Sequence, residues 1–251
     1  MTECSADDLD RAPDGSGDGP PLDSEVAIDA PEHATLGARV HAELRDLLIS
    51  GQLQPGDKVS LRTLSQRLGV SMQPVREAVS RLIADEALEV LPNRAVRVPL
   101  MTAARFDDLT RVRLAIEGFA VEAAAESRRE RDLAEIRHQD KLFRRASRAT
   151  EPASDAAVLA NRDLHFAIYR AARLASLIPI IEGLWLRIGP VLNLDMRSDP
   201  ERLKSGHAER CHARLVAAIE QGDPVAARAA LTDDIEGAAM VIRAHHVVST
   251  P

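Results

Sequence analysis

The amino-acid sequence predicts a mainly α-helical fold, in which a small helical unit with one β-hairpin precedes an antiparallel helical bundle. Three observations lead to this prediction. Apolar residues make up 45% of the 251 residues and aromatic residues only 2%, so the core is aliphatic, and an abundance of alanine and leucine favours packed helices. Apolar positions recur at spacings of three and four along most of the chain, as on one face of a helix. Only around residue 93 do two short runs indicate paired strands.

The first 34 residues differ in composition from the rest of the chain. They are rich in Asp, Gly, Pro and Ser and carry ten acidic residues against one basic residue, whereas residues 35–251 carry 29 acidic and 31 basic residues. Such a segment buries too little apolar surface to offset the entropy of ordering its backbone, so residues 1–34 are predicted to be a disordered acidic tail. The tail either keeps the protein in solution or competes with DNA for a basic surface. The net charge of −7 belongs to this tail and does not exclude a nucleic-acid partner.

Composition also limits where the protein is expected to work. The unbroken apolar stretches are shorter than the roughly 20 residues that a membrane span needs, and no basic and then apolar leader opens the chain. Two cysteines, Cys4 and Cys211, do not make a disulfide framework. We therefore expect a cytoplasmic protein without a membrane partner, in which Cys211 is a small buried hydrophobe.

Residues 35–99 form the first predicted folded unit, which begins with two helices. The first helix ends at Gly51. Its apolar face consists of Leu36, Val40, Leu44, Leu47 and Leu48. The second helix covers residues 61–68, with Ser60 as its N-cap, and Gly69 stops it.

A third helix follows after a short turn. The Ser71 hydroxyl is predicted to cap it, and Pro74 lies in its first turn, where a missing N–H costs little. Its buried side consists of Val75, Ala78, Val79, Leu82 and Ile83. Two helices joined by a short turn with a glycine are typical of a helix-turn-helix. The exposed start of the third helix offers groups suited to phosphates and to base edges in a major groove, namely Ser71, Met72, Gln73 and Arg76.

The end of this unit is predicted to be a β-hairpin. Residues 88–91 and 95–98 have the composition of two short strands, with Asn93 and Arg94 at the tip between them. A hairpin directly after a helix-turn-helix forms a wing, so the unit is predicted to be a winged helix-turn-helix that binds DNA.

The rest of the chain, residues 105–248, is predicted to be an all-helical bundle after a linker at residues 100–104. Glycine, proline and polar residues divide it into six helices with short joints, which is typical of an antiparallel bundle. The predicted helices are 104–127, 130–149, 154–174, 176–193, 200–221 and 223–246. Asp223 is the predicted N-cap of the last helix and Pro224 its first residue.

Four polar residues lie among the apolar positions of the predicted bundle. Asn161 and His165 are four residues apart and share one helix face, while His212 and Asp234 belong to two later helices. Two imidazoles, one carboxylate and one amide oxygen are an adequate ligand set for a divalent metal, with positions left for water or an anion. The alternative is a polar pocket in which these residues bind water and a small molecule. The other histidines of the bundle are predicted to lie at the surface, namely His138, His207, His245 and His246.

Two runs in the first unit resemble a known family. They read GQLQPGDKV from Gly51 and LSQRLGVSMQPVREA from Leu64, and they resemble the winged-helix domain of GntR-family bacterial transcription regulators. The resemblance implies that a homodimer binds palindromic double-stranded operator DNA. It implies DNA contacts by Arg62, Ser71, Met72, Gln73, Arg76, Asn93 and Arg94. The alternative for Arg62 and Arg76 is that they are solvated or paired with Glu77 and Asp85.

This sequence departs from the GntR pattern at two positions. Met72 stands where arginine is frequent, and Ala95 stands where the wing usually has glycine. Met72 makes no charge-assisted contact, so the departure bears on which base is preferred at that position rather than on DNA binding itself.

The bundle resembles the ligand-sensing domain of the FadR subfamily, known as FCD. The resembling stretches read LTRVRLAIE from Leu109, NRDLHF from Asn161, GLW from Gly183 and HARLVAAIEQGD from His212. Many FCD domains hold a divalent metal such as zinc, nickel or manganese through Asp-x-x-x-His and two further histidines 22 residues apart. Here Asn161 replaces the aspartate and Asp234 the last histidine, so the spacing and the number of carboxylates are kept.

The same resemblance implies that Arg113 binds the carboxylate of a small organic acid, because a guanidinium matches a carboxylate with two parallel hydrogen bonds. The alternative partner of Arg113 is Glu117, four residues further along the helix.

Three functions follow from these patterns. The first is a transcription regulator whose operator affinity is set by an acid effector in the bundle. The second is an effector-blind DNA-binding protein whose bundle only dimerises. The third is a hydrolase with His165, His212 and Asp234 around a metal, which lacks an evident general base and leaves the DNA-binding unit unexplained. The sequence favours the first, and we predict that the protein is not an enzyme.

Overall fold

The computed structural model describes residues 36–149, 154–198 and 206–245. The predicted acidic tail, residues 1–34, lies outside the described residues. The described fold is mainly α-helical with one small sheet, as predicted. In chain order its elements are α1 Leu36–Ile49, β1 Lys58–Val59, α2 Leu61–Leu68, α3 Met72–Ala84, β2 Glu89–Val90, β3 Val96–Arg97, α4 Ala103–Ser127, α5 Glu130–Ser147, α6 Ser154–Ala171, α7 Leu177–Ser198, α8 His207–Gln221 and α9 Pro224–His245.

Helices α2 and α3 form the predicted helix-turn-helix, and α1 packs on α3. The Ser60 side chain accepts a hydrogen bond from the Thr63 N–H at 3.2 Å and so caps α2, while Gly69 ends α2 with a φ of 63°, a left-handed conformation that glycine adopts without steric cost. The predicted apolar faces are correct at most positions, since Val40, Leu44 and Leu48 of α1 are buried. They are wrong at Leu36, which is exposed, and incomplete at Leu47 and Ile83, which are half-buried.

The wing belongs to a three-stranded antiparallel sheet in the order β1-β3-β2. The prediction of a two-stranded hairpin therefore lacked β1, which pairs Lys58 with Arg97 and Val59 with Val96. A two-residue strand is too short to show alternation in the sequence. Backbone hydrogen bonds across the turn hold it in place, since the Gly56 N–H donates to the Val98 carbonyl at 2.9 Å.

Helices α4 to α9 form the predicted bundle, in which α5 packs on α6 and α9 packs on both α4 and α8. The Thr102 side chain caps α4, so that helix begins inside the predicted linker. The Asp223 carboxylate accepts from the Ala226 N–H at 2.9 Å and Pro224 is the first residue of α9, as predicted. The predicted break at residues 199–200 lies outside the described residues.

Helix α7 is the most apolar helix of the described chain. Residues Leu177–Leu194 are apolar enough over enough length to resemble a membrane span, a resemblance that the sequence reading missed. In this fold 61% of that window is buried inside the protein, and Trp185 is 1% exposed. The helix is therefore a core helix of the bundle, whose apolar residues are covered by other helices rather than by lipid.

Helix α7 also contacts the helix-turn-helix unit directly. A Cβ atom at Gly189 would lie 2.9 Å from the Ile49 Cα, so only glycine lets the backbones of α7 and α1 approach this closely. The Asn193 amide, one turn further along α7, donates a hydrogen bond to the Ile49 carbonyl at the C-terminal end of α1. An ion pair between Arg45 of α1 and Glu182 of α7, 2.8 Å long, lies on the same pair of helices.

Candidate functional site

Most of the predicted DNA-contacting residues of the helix-turn-helix have exposed side chains. Arg62 on α2 and Ser71, Gln73 and Arg76 at the start of α3 are exposed, and Met72 is half-buried. Within the described parts of the chain neither arginine has an acidic partner. The ion pairs with Glu77 or Asp85 are therefore not formed by these residues, and both arginines are solvated, as the other form of that alternative has it.

Two side chains at the start of α3 differ from the expectation. The Ser71 side chain makes no capping hydrogen bond, although Ser71 occupies the N-cap position, so the prediction that its hydroxyl caps α3 is wrong. Its exposed hydroxyl is left for an external partner. The Gln73 amide donates to the Glu77 carboxylate at 2.9 Å, which holds Gln73 along the helix surface.

The tip of the wing has an unusual backbone conformation. Arg94 has a φ of 62°, in the left-handed region that favours glycine, and its side chain is exposed. The Asn93 side chain accepts a hydrogen bond from the Ala95 N–H at 3.1 Å and closes the turn. The structure thus keeps Arg94 at the tip despite a conformation that costs an L-residue roughly 1–2 kcal/mol.

Three of the four predicted metal ligands converge inside the bundle. His165 on α6, His212 on α8 and Asp234 on α9 each offer one ligand atom, and these atoms lie within 4.8 Å of one another. The Nε2 atoms of the two histidines are 3.3 Å apart. The Asp234 carboxylate oxygens lie 3.4 Å from the His165 Nε2 and 3.7 Å from the His212 Nε2.

Two of these distances match one shared cation, and the third, 3.7 Å between Asp234 and His212, is slightly longer. Donor atoms held about 2.1 Å from a single ion lie roughly 3.0–3.4 Å apart in octahedral or tetrahedral geometry. His165 and His212 are 2% and 0% exposed, so solvent does not compete for their lone pairs. Asn161, the fourth predicted ligand, is buried one helical turn before His165 and lines the same cavity. The donor set of this structure is therefore suited to a divalent metal.

A buried hydrogen-bond chain connects Arg113 to this cluster. The Arg113 Nε donates to the Glu117 Oε1 at 2.6 Å, so the ion pair that was the alternative role of Arg113 exists. The Tyr169 hydroxyl donates to the Glu117 Oε2 at 2.5 Å and lies 3.0 Å from the His165 Nδ1. Because the hydroxyl hydrogen goes to Glu117, the network assigns a hydrogen to the His165 Nδ1 and leaves the lone pair of the His165 Nε2 facing Asp234 and His212.

The ionisation states of the cluster suit metal binding. Burial lowers the pKa of His212 to about 4, so this imidazole is neutral at pH 7. Burial alone would raise the pKa of Asp234, but the neighbouring His212 and His165 side chains and the Arg113 guanidinium outweigh it and lower that pKa to about 2. Burial and the Glu117 carboxylate raise the pKa of Tyr169 well above its ordinary value, so Tyr169 keeps its hydrogen. Neutral imidazoles and an ionised carboxylate are the forms that bind a metal.

A cavity of about 50 Å³ lies beside the cluster. One water molecule needs about 10–15 Å³ on this measure, so the cavity has room for a ligand of only a few atoms besides an ion. Arg113 reaches it as well, with its guanidinium 5.5 Å from the centre of the Trp185 ring. The cavity is lined by Arg113, Asn161, His165, Trp185, Leu192, Met196, His207, Ala208, Asp234, Ile235 and Ala238.

Sequence reasoning missed several residues of this site. His207 was predicted to lie at the surface, but it lines the cavity, because it packs against Gly237 of α9 at the start of α8. Glu117 was considered only as an ion-pair partner, and Tyr169 and Trp185 were not considered as site residues. The spacing of Arg113, Glu117, His165 and Tyr169 by four residues on two helices was the available signal.

Comparison with known proteins identifies the family. The model of bacterial regulatory proteins of the gntR family matches residues 36–98, and the FCD domain model matches residues 108–237. The HTH-type transcriptional regulator McbR of Escherichia coli (strain K12) is 33% identical over 204 residues, which cover 80% of this chain and 90% of McbR. The chain belongs to the gntR family of bacterial regulatory proteins with an FCD domain.

Further relatives of this gntR-family regulator agree with the assignment. A protein of Paenarthrobacter nicotinovorans named "Probable D-xylose utilization operon transcriptional repressor" is 27% identical over 212 residues, covering 83% of this chain and 91% of that protein. The solved structure of E. coli McbR/YncC superposes with a TM-score of 0.77 at 29% identity, covering 84% of this chain and 98% of that chain. These relatives are transcription regulators, so the protein is a regulator rather than an enzyme.

Proposed function

We propose that this regulator binds operator DNA with an affinity that a small organic acid sets, and that the acid binds in the bundle at a divalent metal. In this proposal His165, His212, Asp234 and Asn161 hold a zinc, nickel or manganese ion, and Arg113 binds the acid. The regulator acts in the cytoplasm as a homodimer on a palindromic operator and belongs to the FadR subfamily. A dimer with two winged helices contacts both half-sites of the operator and therefore binds DNA more tightly than one winged helix alone.

The observation that carries the proposal is that the cluster of His165, His212 and Asp234 and the Arg113 guanidinium lie at one cavity. Arg113 and Glu117 neutralise each other and His212 is neutral, so the Asp234 carboxylate puts a negative charge beside the cavity. An organic anion would be repelled by that charge. A divalent ion reverses its sign and supplies open coordination positions for a carboxylate oxygen.

Arg113 is able to serve both Glu117 and a ligand. Its hydrogen bonds within the described residues use Nε and Nη2 only, so Nη1 has no partner there. A carboxylate in the cavity can take the Nη1 hydrogens while Glu117 keeps the other edge of the guanidinium, since Arg offers five N–H donors in a fixed plane.

A route from the cavity to the DNA-binding unit runs through α7. This helix lines the cavity with Trp185, Leu192 and Met196, and it contacts the end of α1 with Gly189 and Asn193. An acid that binds one placement of α7 better than another therefore changes the placement of α1 and of the winged helix it belongs to. Only such a difference in affinity between the two arrangements can alter operator binding.

The test is an operator titration of the wild type and of His212→Ala, each with zinc and with and without saturating acid. We expect the wild type to change its operator affinity about 5- to 150-fold with acid, which corresponds to a typical coupling of 1–3 kcal/mol, and His212→Ala to lose the response. His138→Ala, which removes an exposed imidazole outside the cavity, is the matched control. A response of His212→Ala equal to that of the wild type would show that the cluster is not the sensor. No response of the wild type to any acid would favour the effector-blind alternative.

A further inference from the structure

Apart from His207, the described polar lining residues of the cavity beside the cluster lie where the carboxylate and the metal of the proposed function would bind. Its polar lining residues among the described chain are Arg113, Asn161, His165, His207 and Asp234. Among the described residues the remaining wall consists of the side chains of Trp185, Leu192, Met196, Ala208, Ile235 and Ala238. Among the side chains of that described wall only the Trp185 indole N–H is able to form a hydrogen bond, and its Nε1 atom is buried without a partner in the described residues.

Each polar lining residue already has a task or a partner. His165 and Asp234 belong to the cluster of potential metal ligands. Asn161 precedes His165 by one helical turn and so lies at the same end of the cavity. Arg113 is paired with Glu117, and its remaining N–H groups are left for the carboxylate of the proposed effector. The His207 Nε2 lies 3.3 Å from the Asp233 carbonyl oxygen, which binds it to the backbone of α9.

We infer that the effector is a short monocarboxylic acid with an apolar tail, and not a sugar acid or a hydroxy acid. This inference rests on the proposed function, because it takes the acid-binding end of the cavity from it. The carboxylate binds at Arg113 and the cluster, and the tail lies against Leu192, Met196 and Ile235. The cavity volume of about 50 Å³ limits the tail to a few carbon atoms.

The physical reason is the cost of burying an unpaired hydroxyl. A hydroxyl on the tail gives up its hydrogen bonds to water and finds no partner on an aliphatic wall, which weakens binding relative to a methyl group of the same size. An apolar pocket typically rejects such an isostere by about 10- to 100-fold.

The test compares two acids of the same length, pentanoate and 4-hydroxybutanoate, which differ in a terminal methyl or hydroxyl group. Both are titrated calorimetrically into the full-length protein, with zinc and after chelation, and gluconate and nonanoate extend the series. We expect pentanoate to bind about 10- to 100-fold more tightly than 4-hydroxybutanoate. We expect gluconate and nonanoate to bind weakly, one for its hydroxyls and the other for its length.

Two variants of one wall residue connect the preference to the cavity. Met196→Gln places an amide on the wall with little change in length, and Met196→Leu keeps the wall apolar as the matched control. We expect Met196→Gln to reduce the preference for pentanoate several-fold and Met196→Leu to retain it. Equal or tighter binding of 4-hydroxybutanoate or gluconate by the wild type overturns the apolar-tail inference and leaves the acid-sensing function standing. If no acid binds, with zinc or without it, both the inference and the acid-sensing function are wrong.

Discussion

The Tyr169 hydroxyl donates a 2.5 Å hydrogen bond to the Glu117 carboxylate, and both side chains are buried. Glu117 is thereby shared between Arg113, which faces the ligand cavity, and Tyr169, which orients His165. The arginine proposed to bind the acid and a histidine proposed to bind the metal are thus connected by two hydrogen-bonded residues. Ligand-binding imidazoles in proteins are typically oriented by such an outer partner.

Replacement of Tyr169 by phenylalanine should weaken metal binding. Tyr169→Phe removes the group that holds the His165 ring and its tautomer, and the loss of such a partner typically lowers metal affinity about 10- to 100-fold. Zinc and nickel affinities by competition with a chromogenic chelator measure the effect. The chelator-treated variant should also lose roughly 1–3 kcal/mol of unfolding free energy, because Glu117 loses a buried donor. If Tyr169→Phe lowers the unfolding free energy but leaves the metal affinity unchanged, Tyr169 contributes to stability and does not orient His165 for metal binding.

Removal of the metal should weaken binding of the acid. Without a cation the Asp234 carboxylate leaves a negative charge beside the cavity, which repels an organic anion. Treatment with a strong chelator should therefore lower pentanoate affinity by about tenfold or more, and added zinc should restore it. Apparent stability provides a second measurement, since zinc at about 100 times its Kd should raise the unfolding free energy by about 2.7 kcal/mol. An acid affinity that does not change on chelation would mean that Arg113 binds the acid without a metal.

Truncation of Arg76 should weaken operator binding without unfolding the protein. Arg76 is exposed at the start of α3 and has no acidic partner in the described residues, so Arg76→Ala should cost about 1–3 kcal/mol per half-site. Arg67→Ala, which removes an exposed arginine in the last turn of α2, is the matched control and should change little. Equal losses in the two variants, in gel-shift titrations at one salt concentration, would mean that Arg76 contributes only to the general positive field.

Arg94→Gly should raise stability and lower DNA affinity at the same time. Glycine adopts the left-handed conformation at this position without the cost that an arginine bears, so the unfolding free energy should rise by up to about 1 kcal/mol. The wing meanwhile loses its tip cation and therefore a DNA contact. Arg94→Ala keeps the backbone cost and separates the two effects, since it should lose DNA affinity with no gain in stability. Undiminished operator affinity of Arg94→Gly would remove the wing tip from the DNA interface.

Two glycines of α7 form a matched pair for the contact between α7 and α1. A Cβ at Gly189 would meet the backbone of Ile49 at 2.9 Å, whereas a Cβ at Gly183 would meet nothing within 4 Å. Gly189→Ala should therefore destabilise the protein and reduce the effect of acid on operator binding, while Gly183→Ala should stabilise α7 by about 0.5–1 kcal/mol. Thermal unfolding and operator titrations with pentanoate measure both. Full acid response in Gly189→Ala would exclude this contact from the signalling route.

The helices were predictable because their signals are local. The cap at Ser60, the stop at Gly69 and the Asp223-Pro224 start each depend on residues within one turn of the helix end. Strand β1 was not predictable, because two residues carry no period and their pairing partner lies almost 40 residues away. The contact of Gly189 with Ile49 is similarly remote in sequence, and a helix interior gives no sign of what approaches a glycine.

The convergence of polar side chains at the candidate site was predictable, but their surroundings were not. Helical spacing placed Asn161 and His165 on one face, and the resemblance to FCD domains supplied the partners on later helices. Tyr169 and His207 were missed because packing decides their role, and packing depends on how α6, α8 and α9 come together rather than on any one helix. The role of Arg113 was left open between Glu117 and a ligand, and the guanidinium has enough donors for both.

The close fit of α7 against α1 has a consequence for how such regulators can be recombined. A winged helix exchanged between family members would need a residue as small as Gly189 beneath the end of α1 and an amide such as Asn193 to satisfy the Ile49 carbonyl. A recipient bundle without these two features would leave a buried carbonyl unsatisfied or force the helices apart. The DNA-reading half of this protein is thus not a freely exchangeable module, and changes of operator specificity are better sought at the start of α3 than by swapping the unit.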